Sequence, residues 1–192
     1  MIFERLDIQD LILITPQVHE DYRGIFFESF NHQRFYASED QSITQQLKSV
    51  NFVQDNIATS LKKNTIRGMH FQISKPQAKL VTCLKGSILD VVVDIRPNSK
   101  TFRKWVSVVL DDKRYQQLFV PKGFAHGYKS ISNNIIVMYK ADEYYFKEDY
   151  RGIAWDDNYL KIDWEIDLTK DVVTVSEQDK LWQGINSFNY PE

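Results

Sequence analysis

The sequence has only one cysteine, Cys83, and no long apolar run. A single thiol excludes an intrachain disulfide, and its apolar neighbours Val81 and Leu84 predict that it is buried. No segment approaches the roughly 18 apolar residues that a membrane-spanning helix needs. The N-terminus carries the acidic residues Glu4 and Asp7 where a secretion signal requires a basic and then an apolar stretch. We therefore expect a soluble cytoplasmic protein with no membrane partner.

The sequence also lacks an excess of basic charge. The formal net charge is −2, and Lys and Arg are scattered among the acidic residues rather than gathered into a stripe, so nucleic acid is not an expected partner. Aromatic residues make up 14% of the chain, which suits a β-rich fold and also supplies flat faces for stacking on a base or sugar. Without repeats or low-complexity tracts, the 192 residues predict a single domain spanning 1–192.

Short strand-like runs separated by turn signals recur along the chain. This pattern is typical of an antiparallel double-sheet sandwich or barrel, an all-β fold. Helix is expected only at the periphery, as single turns at 31–35 and 112–117 and as a capped start at 176–180, whereas 38–44 is predicted to be a loop. The predicted strands are 11–14, 25–30, 52–60, 66–72, 105–110, 117–120 and 135–145.

Residues 66–95 combine polar side chains with an alternating apolar pattern, which is how a strand presents polar groups on one sheet face. A strict two-residue period would put Arg67 and His70 on opposite faces. If both side chains line one pocket, the strand pairing must shift by one residue between them, and we predict a β-bulge at Gly68. His70 and Gln72 would then share a face, as would Gln77 and Lys79, placing these four side chains around one cavity. The alternative is an ordinary solvated sheet face.

Of the four histidines, His126 stands in a second informative place, the turn of sequence PKGFAHG at 121–127. This turn resembles the second motif of the cupins, double-sheet barrels that often bind a metal through His-x-His, a following Glu and this last His. Gln72 occupies the place of the second His, and no Glu occurs between positions 39 and 143. No metal is therefore expected. His19 and His32 have polar neighbours and are predicted to be exposed.

The chain as a whole resembles one cupin family, the dTDP-4-dehydrorhamnose 3,5-epimerases of deoxysugar biosynthesis. The likeness runs in order over nearly the whole chain, and no single motif carries it. It implies a cupin-type jelly-roll barrel with a few short peripheral helices. The matching segments are DYRGIFFE at 21–28, QDN at 54–56, RGMHFQ at 67–72, QAKLV at 77–81, DVVVDIR at 90–96, PKGFAHG at 121–127, YK at 139–140, YY at 144–145, RGIAWDD at 151–157 and SEQD at 176–179.

The resemblance implies a cofactor-independent isomerase that inverts C3 and C5 of dTDP-4-dehydro-6-deoxyglucose to give dTDP-4-dehydrorhamnose. It makes His70 the general base, Asp179 its orienting carboxylate, Tyr139 the acid on the opposite face and Lys79 the cation near the developing enolate. These residue types suit that chemistry. Without the resemblance, Tyr139 would be read as a strand aromatic in the core.

The resemblance also implies the residues that bind a nucleotide-diphosphate sugar. Arg23, Phe26 and Glu28 would reach into the neighbouring subunit's site, so a homodimer with exchanged N-terminal strands is expected. The alternative for Arg23 is a turn charge in water. The remaining expected contacts are Gln54 and Asn56 to nucleotide or sugar, Arg67 and His126 to phosphate or sugar, Tyr145 stacked on the base, and Gln72 as one of the cavity amides.

The sequence departs from the family pattern at several positions. Tyr150 and Gln178 stand where the family has a glutamate and a lysine that contact the substrate, Ala58 replaces a serine, and the loop between Gln72 and Gln77 is one residue short. These changes bear on the nucleotide or sugar more than on the reaction, and the thymidine nucleotide is favoured. Three alternatives remain: a single-position 3-epimerase, a non-catalytic sugar-binding cupin, and a metal-dependent cupin oxygenase, which Gln72 disfavours.

Overall fold

The computed structural model describes residues 1–188, and most of its regular structure is β-strand. This agrees with the prediction of an all-β fold. The strands are β1 (Ile2–Arg5), β2 (Ile12–Thr15), β3 (His19–Asp21), β4 (Gly24–Phe26), β5 (Gln54–Ser60), β6 (Thr65–Gln72), β7 (Lys79–Lys85), β8 (Ser87–Asp94), β9 (Trp105–Asp111), β10 (Gln117–Val120), β11 (Phe124–Ser130), β12 (Ile135–Ala141), β13 (Tyr150–Gly152) and β14 (Thr174–Val175).

Two large sheets pack face to face and form the double-sheet jelly roll that the sequence predicts. The first sheet has the order β1-β2-β10-β7-β12-β5, and the second has the order β13-β6-β11-β8-β9, with β14 added parallel to β6. Apolar side chains from both sheets meet between them, including Val81 and Val137 from the first and Val92 and Leu110 from the second. Cys83 belongs to this core, and burial raises the pKa of its thiol to about 12.

Two helices, α1 (His32–Phe35) and α2 (Gln41–Lys48), cover the outer face of the first sheet. The prediction of a loop at 38–44 is wrong, because α2 begins inside that segment. Asp40 caps α2 by accepting hydrogen bonds from the backbone N–H groups of Ser42 and Ile43. Ile43 and Leu47, four residues apart, bury the apolar side of the helix against the sheet. Neither helix is long and apolar enough to cross a membrane, and the described chain contains no other α-helix.

The C-terminal segment packs on the outer face of the second sheet. Ile153, Leu160, Trp164 and Ile185 bury apolar surface against strands of that sheet. The segment returns to β6 through β14 and then forms a short 3₁₀-helix, Asp179–Leu181. This path carries Asp179 to β6, where its side chain meets His70.

The hairpin of β3 and β4 stands apart from both sheets and pairs only with itself. All six of its strand residues are exposed, including Phe26 at 68% of its maximum. The predicted strand 25–30 is therefore too long, since β4 ends at Phe26. The predicted strand 135–145 is also too long, because β12 ends at Ala141 and residues 142–145 form a connecting segment.

Candidate active site

A cavity of about 430 Å³ lies between the two sheets and is closed on one side by the C-terminal segment. Strand β6 supplies Arg67 and His70, β11 supplies His126 and Tyr128, β7 supplies Lys79, and β12 supplies Tyr139. These six side chains therefore reach one cavity from four different strands. The remaining lining residues are Ala58, Thr65, Ile66, Tyr150, Thr174, Val175, Ser176, Gln178 and Asp179.

A β-bulge lets β6 present both Arg67 and His70 to the cavity, and it confirms the predicted bulge at Gly68. His70 pairs with His126 and Arg67 with Tyr128, so two residues of β6 oppose the single residue Gly127 of β11. Gly68 has a φ of +130°, and a Cβ there would lie 2.5 Å from the Cα of Gly127. Only glycine fits this close approach between the strands.

His70 and Asp179 form a hydrogen-bonded pair. The His70 Nε2–H donates to Asp179 Oδ1 over 2.7 Å, and Asp179 also accepts hydrogen bonds from Trp182 Nε1 at 3.1 Å and the Gly68 backbone N–H at 3.4 Å. A short turn fixes the carboxylate, because the Asp179 backbone N–H donates to Ser176 Oγ over 3.0 Å. The capped helix start expected at 176–180 is a 3₁₀-helix that begins at Asp179, and its N-cap residue, Gln178, makes no side-chain capping hydrogen bond.

The charge states of this pair follow from burial and hydrogen bonding. Burial lowers the pKa of His70 below its usual value, and the Asp179 carboxylate opposes but does not reverse the shift. Burial alone would raise the pKa of Asp179, but the hydrogen bonds from His70, Trp182 and Gly68 outweigh it and lower that pKa. At neutral pH the pair is a neutral imidazole and an ionised carboxylate. With its proton held on Nε2, the imidazole keeps Nδ1 as its basic nitrogen.

Lys79 is a buried ammonium on β7 with 9% of its surface exposed. Burial lowers the pKa of Lys79 to about 8, and the Asp90 carboxylate opposes the shift. Within residues 1–188 the Lys79 ammonium makes no hydrogen bond or ion pair with another side chain. A buried cation without a paired carboxylate is suited to an anion that enters the cavity.

Tyr139 lies on β12 and packs against the inter-sheet core with its side chain half-buried. Burial raises the pKa of Tyr139, and the nearby Arg67 guanidinium opposes this. The phenol is therefore protonated at neutral pH and is able to donate a proton or a hydrogen bond.

His126 forms a second imidazole–carboxylate pair, with Asp90. The His126 Nε2–H donates to both carboxylate oxygens of Asp90, each at 2.9 Å, and both residues are buried. The prediction placed His126 at the site but omitted Asp90. The sequence does contain a signal for Asp90, which begins the otherwise apolar run DVVVD at 90–94. A carboxylate that is buried with such a run requires a partner.

Arg67 reaches along the cavity toward β5. Its Nη2 donates to the Thr59 carbonyl over 2.9 Å and its Nε donates to Ser60 Oγ over 3.3 Å. Gln54 and Asn56 lie on the same strand outside the cavity lining, where Gln54 Nε2 donates to Asn56 Oδ1 over 2.8 Å. Asn56 pairs with Tyr139 across the sheet, and Gln54 Oε1 accepts a hydrogen bond from the backbone N–H of Tyr145 over 3.2 Å.

Aromatic rings border the cavity above His70. The ring of Tyr150 lies 5.0 Å from the His70 imidazole and 6.0 Å from Trp182, centroid to centroid. Tyr145 packs edge-on against Tyr150 at 5.4 Å and is half exposed, which leaves one of its surfaces open at the mouth. Tyr150, Gln178 and Ala58 all line the cavity. The three substitutions relative to the family pattern therefore fall within the site itself, whereas the shortened loop between Gln72 and Gln77 lies outside the lining.

Gln72 does not line the cavity, contrary to the prediction that it shares the cavity with His70. Its side-chain amide donates to the carbonyls of Lys75 and Tyr144 at 2.8 and 3.2 Å and accepts from the Phe146 N–H at 2.9 Å. Gln77 donates to the Glu143 carbonyl over 2.8 Å and also lies outside the lining. Both amides hold neighbouring loops in place.

The predicted nucleotide contacts Arg23, Phe26 and Glu28 lie on or just after the β3–β4 hairpin, away from the cavity lining. Arg23 pairs with Asp21 at 2.5 Å, and Glu28 pairs with Arg34 at 2.6 Å. Within one chain these residues do not reach the site. His19 and His32 are exposed, as predicted.

The two imidazoles at the site each have one carboxylate partner rather than a shared centre. In the part of the chain that the structure describes, no group of three or more His, Cys, Asp or Glu side chains is placed to hold a metal ion. The donor set does not suit a divalent ion, because the cavity lining adds an ammonium and phenols rather than further imidazoles or carboxylates.

Known proteins resemble this chain over almost its full length. The family model of dTDP-4-dehydrorhamnose 3,5-epimerase matches residues 5–187. The enzyme of that name from Methanothermobacter thermautotrophicus is 40% identical over 183 residues, covering 95% of this chain and 94% of the relative. The Escherichia coli enzyme of that name is 45% identical over 161 residues, covering 83% of each chain.

A solved structure shows the same similarity. The dTDP-6-deoxy-D-glucose-3,5-epimerase of Legionella pneumophila, crystallised with dTDP-4-keto-L-rhamnose, superposes with a TM-score of 0.88 at 35% identity. The superposition covers 97% of this chain and 94% of the Legionella chain.

Proposed function

The chain belongs to the dTDP-4-dehydrorhamnose 3,5-epimerase family, and we propose that it inverts C3 and C5 of a dTDP-linked 4-keto-6-deoxyhexose with His70 as the base. The observation that carries the proposal is the hydrogen-bonded His70–Asp179 pair, which lines the same cavity as Lys79 and Tyr139. A neutral imidazole, a buried ammonium and a protonated phenol are the three groups that the reaction requires.

The first step removes a proton from a carbon beside the ketone. C3 and C5 both flank C4, so loss of either proton gives an enolate whose charge rests on O4. His70 Nδ1 takes the proton, and the resulting imidazolium is stabilised by the ionised Asp179 at 2.7 Å from the other ring nitrogen. Because both carbons lead to the same kind of enolate, one base can serve both.

Lys79 stabilises that enolate. Its ammonium is charged below its pKa of about 8 and is held in the cavity without a carboxylate partner of its own. A preorganised cation in a site of low dielectric constant gains most when negative charge develops next to it, and here that charge develops on O4. The same group can act at both carbons because O4 is common to both enolates.

Tyr139 returns a proton to the face opposite His70, and this reverses the configuration at carbon. Its raised pKa keeps the proton available at neutral pH. One proton leaves the sugar and one returns, so the balance closes without an oxidant, a reductant or a metal. The reaction therefore needs no cofactor.

The substrate's nucleotide lies toward the mouth of the cavity in this proposal. Tyr145 stacks on the base with its open face, and Arg67 and His126 contact the diphosphate or the sugar. The exposed β3–β4 hairpin brings Arg23, Phe26 and Glu28 to the site of a second subunit, giving a homodimer with exchanged N-terminal strands. The apolar surface of Phe26, 68% exposed in one chain, supports that exchange.

Incubation with dTDP-4-keto-6-deoxyglucose in deuterated water tests the reaction. The expected result is deuterium at both C3 and C5 with inverted configuration at each. Deuterium and inversion at C3 alone would identify a single-position 3-epimerase. Binding of the nucleotide sugar without deuterium at either carbon would leave only a sugar-binding protein and would overturn the assignment of catalysis.

A further inference from the structure

The side chain of Tyr128 lines the catalytic cavity but has no role in the reaction described above. It lies on β11 two residues after His126, and only 4% of its surface is exposed. It is the most deeply buried of the three tyrosines of the lining, since Tyr139 and Tyr150 are both half-buried.

Core packing and strand pairing both fix the position of Tyr128. It belongs to the apolar core between the sheets, together with Val81, Cys83 and Val137, and Tyr139 packs against the same cluster. Across the sheet Tyr128 pairs directly with Arg67 of β6, next to the bulge at Gly68. Directly paired residues of neighbouring strands present their side chains on the same face, which points Tyr128 toward the cavity.

The hydroxyl group of Tyr128 is buried and has no hydrogen-bond partner in residues 1–188. Buried polar groups in folded proteins almost always have a partner, and an exception in the wall of a ligand cavity is explained when the ligand supplies it. Burial raises the pKa of Tyr128, so the group remains a protonated phenol that can donate a hydrogen bond.

We propose that the Tyr128 hydroxyl donates a hydrogen bond to an oxygen atom of the substrate's hexose and so determines specificity for the sugar. This inference rests on the proposed function. The hexose is the part of the substrate that must lie against His70, Lys79 and Tyr139, whose side chains line the same cavity. In the proposed function the nucleotide is bound nearer the mouth, beside the half-exposed Tyr145. Tyr128, the most deeply buried tyrosine of the lining, is therefore too far from the nucleotide to contact it.

Replacement of Tyr128 by phenylalanine removes the hydroxyl and keeps the ring that fills the core. Wild type and Tyr128→Phe are each titrated calorimetrically with dTDP and with dTDP-glucose, a nucleotide sugar whose glucose lacks the reactive ketone. Comparison of the two ligands separates the contribution of the sugar to binding from that of the nucleotide. We expect dTDP to bind both proteins equally and dTDP-glucose to bind the variant about three- to tenfold more weakly, as for loss of one neutral hydrogen bond. The melting temperature of the free variant should be unchanged or higher, because the lost hydroxyl has no partner.

Tyr36→Phe is the matched control, because the Tyr36 hydroxyl donates to the Val50 carbonyl over 2.6 Å at a site remote from the cavity. That variant should melt at a lower temperature and bind dTDP-glucose as the wild type does. Equal binding of dTDP-glucose to wild type and Tyr128→Phe would overturn the proposal, as would equal weakening toward dTDP or a lower melting temperature of the free variant.

Activity assays distinguish failure of this inference from failure of the proposed function. If wild type inverts both carbons and Tyr128→Phe does so with unchanged kcat/KM, only the role of Tyr128 is wrong. If Tyr128→Phe exchanges deuterium without inversion, Tyr128 delivers the proton and the binding role is wrong. If wild type neither binds nor exchanges the 4-keto sugar, the proposed function itself fails.

Discussion

His70 and Asp179 are 109 residues apart in the sequence, yet their side chains meet with 2.7 Å between Nε2 and Oδ1. The hydrogen bond holds the imidazole proton on Nε2, so that Nδ1 is the nitrogen able to accept a proton from the substrate. Trp182 and the Gly68 backbone hold the carboxylate in turn. The relation between these two residues therefore determines both the tautomer and the orientation of the imidazole that we propose as the base.

Loss of the base should stop exchange at both carbons. In His70→Ala, deuterium incorporation at C3 and at C5 should fall by at least about a hundredfold, the usual contribution of general acid–base catalysis. Mass spectrometry of the sugar recovered from deuterated water measures both positions. Exchange that persists at either carbon would mean that a second base serves it.

Loss of the orienting carboxylate should weaken the base without removing it. Asp179→Asn keeps the size of the side chain but loses the charge-assisted hydrogen bond, so turnover should fall about ten- to a hundredfold. The same exchange experiment gives the rate. A variant with wild-type turnover would show that Asp179 does not orient His70.

Exchange and inversion should separate when Tyr139 is changed. If the phenol delivers its proton to the face opposite His70, Tyr139→Phe should still form the enolate and take up deuterium from the His70 side with the original configuration. Proton NMR in deuterated water shows incorporation and configuration together. Loss of both would mean that Tyr139 positions the sugar, and retention of both would mean that water can replace it.

The value of kcat/KM should fall at both low and high pH, and a different residue should be responsible for each fall. His70 must be neutral, and its pKa is lowered below its usual value, so kcat/KM should fall only as pH drops below about 6.5. Lys79 must be charged, and its pKa is lowered to about 8, so kcat/KM should also fall as pH rises above that value. Lys79→Arg should be less active but should lose the alkaline limb, because a guanidinium stays charged. An alkaline limb that survives in Lys79→Arg would assign it to another group.

Nucleotide preference should follow from the residues that remain at the mouth. Tyr150 and Gln178 provide no charge where the family has a carboxylate and an ammonium, and a charged hydrogen bond is worth about 1.5 to 3 kcal/mol. The rings of Tyr150 and Tyr145, whose centroids lie 5.4 Å apart, offer an aromatic surface for the base in place of those two charges. Calorimetric titration should show dTDP binding more tightly than UDP, CDP or GDP. A preference for GDP would overturn the thymidine assignment and leave the epimerase chemistry intact.

The proposed exchange of hairpins between two subunits can be tested by mixing two inactive variants. In a mixed dimer of His70→Ala and the double variant Arg23→Ala, Phe26→Ala, one site combines an intact base with an intact hairpin from its neighbour. After unfolding and refolding together, the mixture should recover about a quarter of wild-type activity, because about half of the dimers are mixed and each has one intact site.

A mixture of His70→Ala with Tyr139→Phe is the control for the mixed-dimer experiment. Both changes lie in the cavity of one chain, so no site in any dimer is complete and inversion should not recover. Equal recovery in both mixtures, or no recovery in the first, would contradict the exchange of hairpins between subunits.

Several features of the fold could be predicted from local sequence because local physics produces them. Alternation of apolar and polar residues defines the strands, and the spacing of Arg67 and His70 around Gly68 predicted the bulge that the pairing with β11 confirms. The eight-residue helix α2 was missed although its signals are present, namely the capping residue Asp40 and the apolar pair Ile43 and Leu47. The polar composition of this segment favours a loop, whereas its capping residue and apolar spacing favour a helix.

Other features could not be predicted from any single segment. Gln72 was expected in the cavity from the two-residue period of β6, but the loops at Lys75 and Phe146 engage its amide and hold it outside the lining. Asp90 was missed because its partner, His126, lies 36 residues away on the neighbouring strand. Such partners depend on strand order and loop path, which a local pattern does not contain.

Local patterns in the sequence are sufficient to predict the all-β class, the positions of most strands and the bulge at Gly68, and the resemblance to the epimerases supplies the candidate catalytic residues. Which of these residues meet depends on how the sheets and the C-terminal segment pack. The C-terminal segment bends back over the second sheet because its apolar side chains, such as Trp164 and Ile185, are buried there, and this packing brings Asp179 to His70. Packing of the two sheets likewise buries Lys79 and lowers its pKa to about 8, because desolvation depends on surroundings that only the folded chain creates.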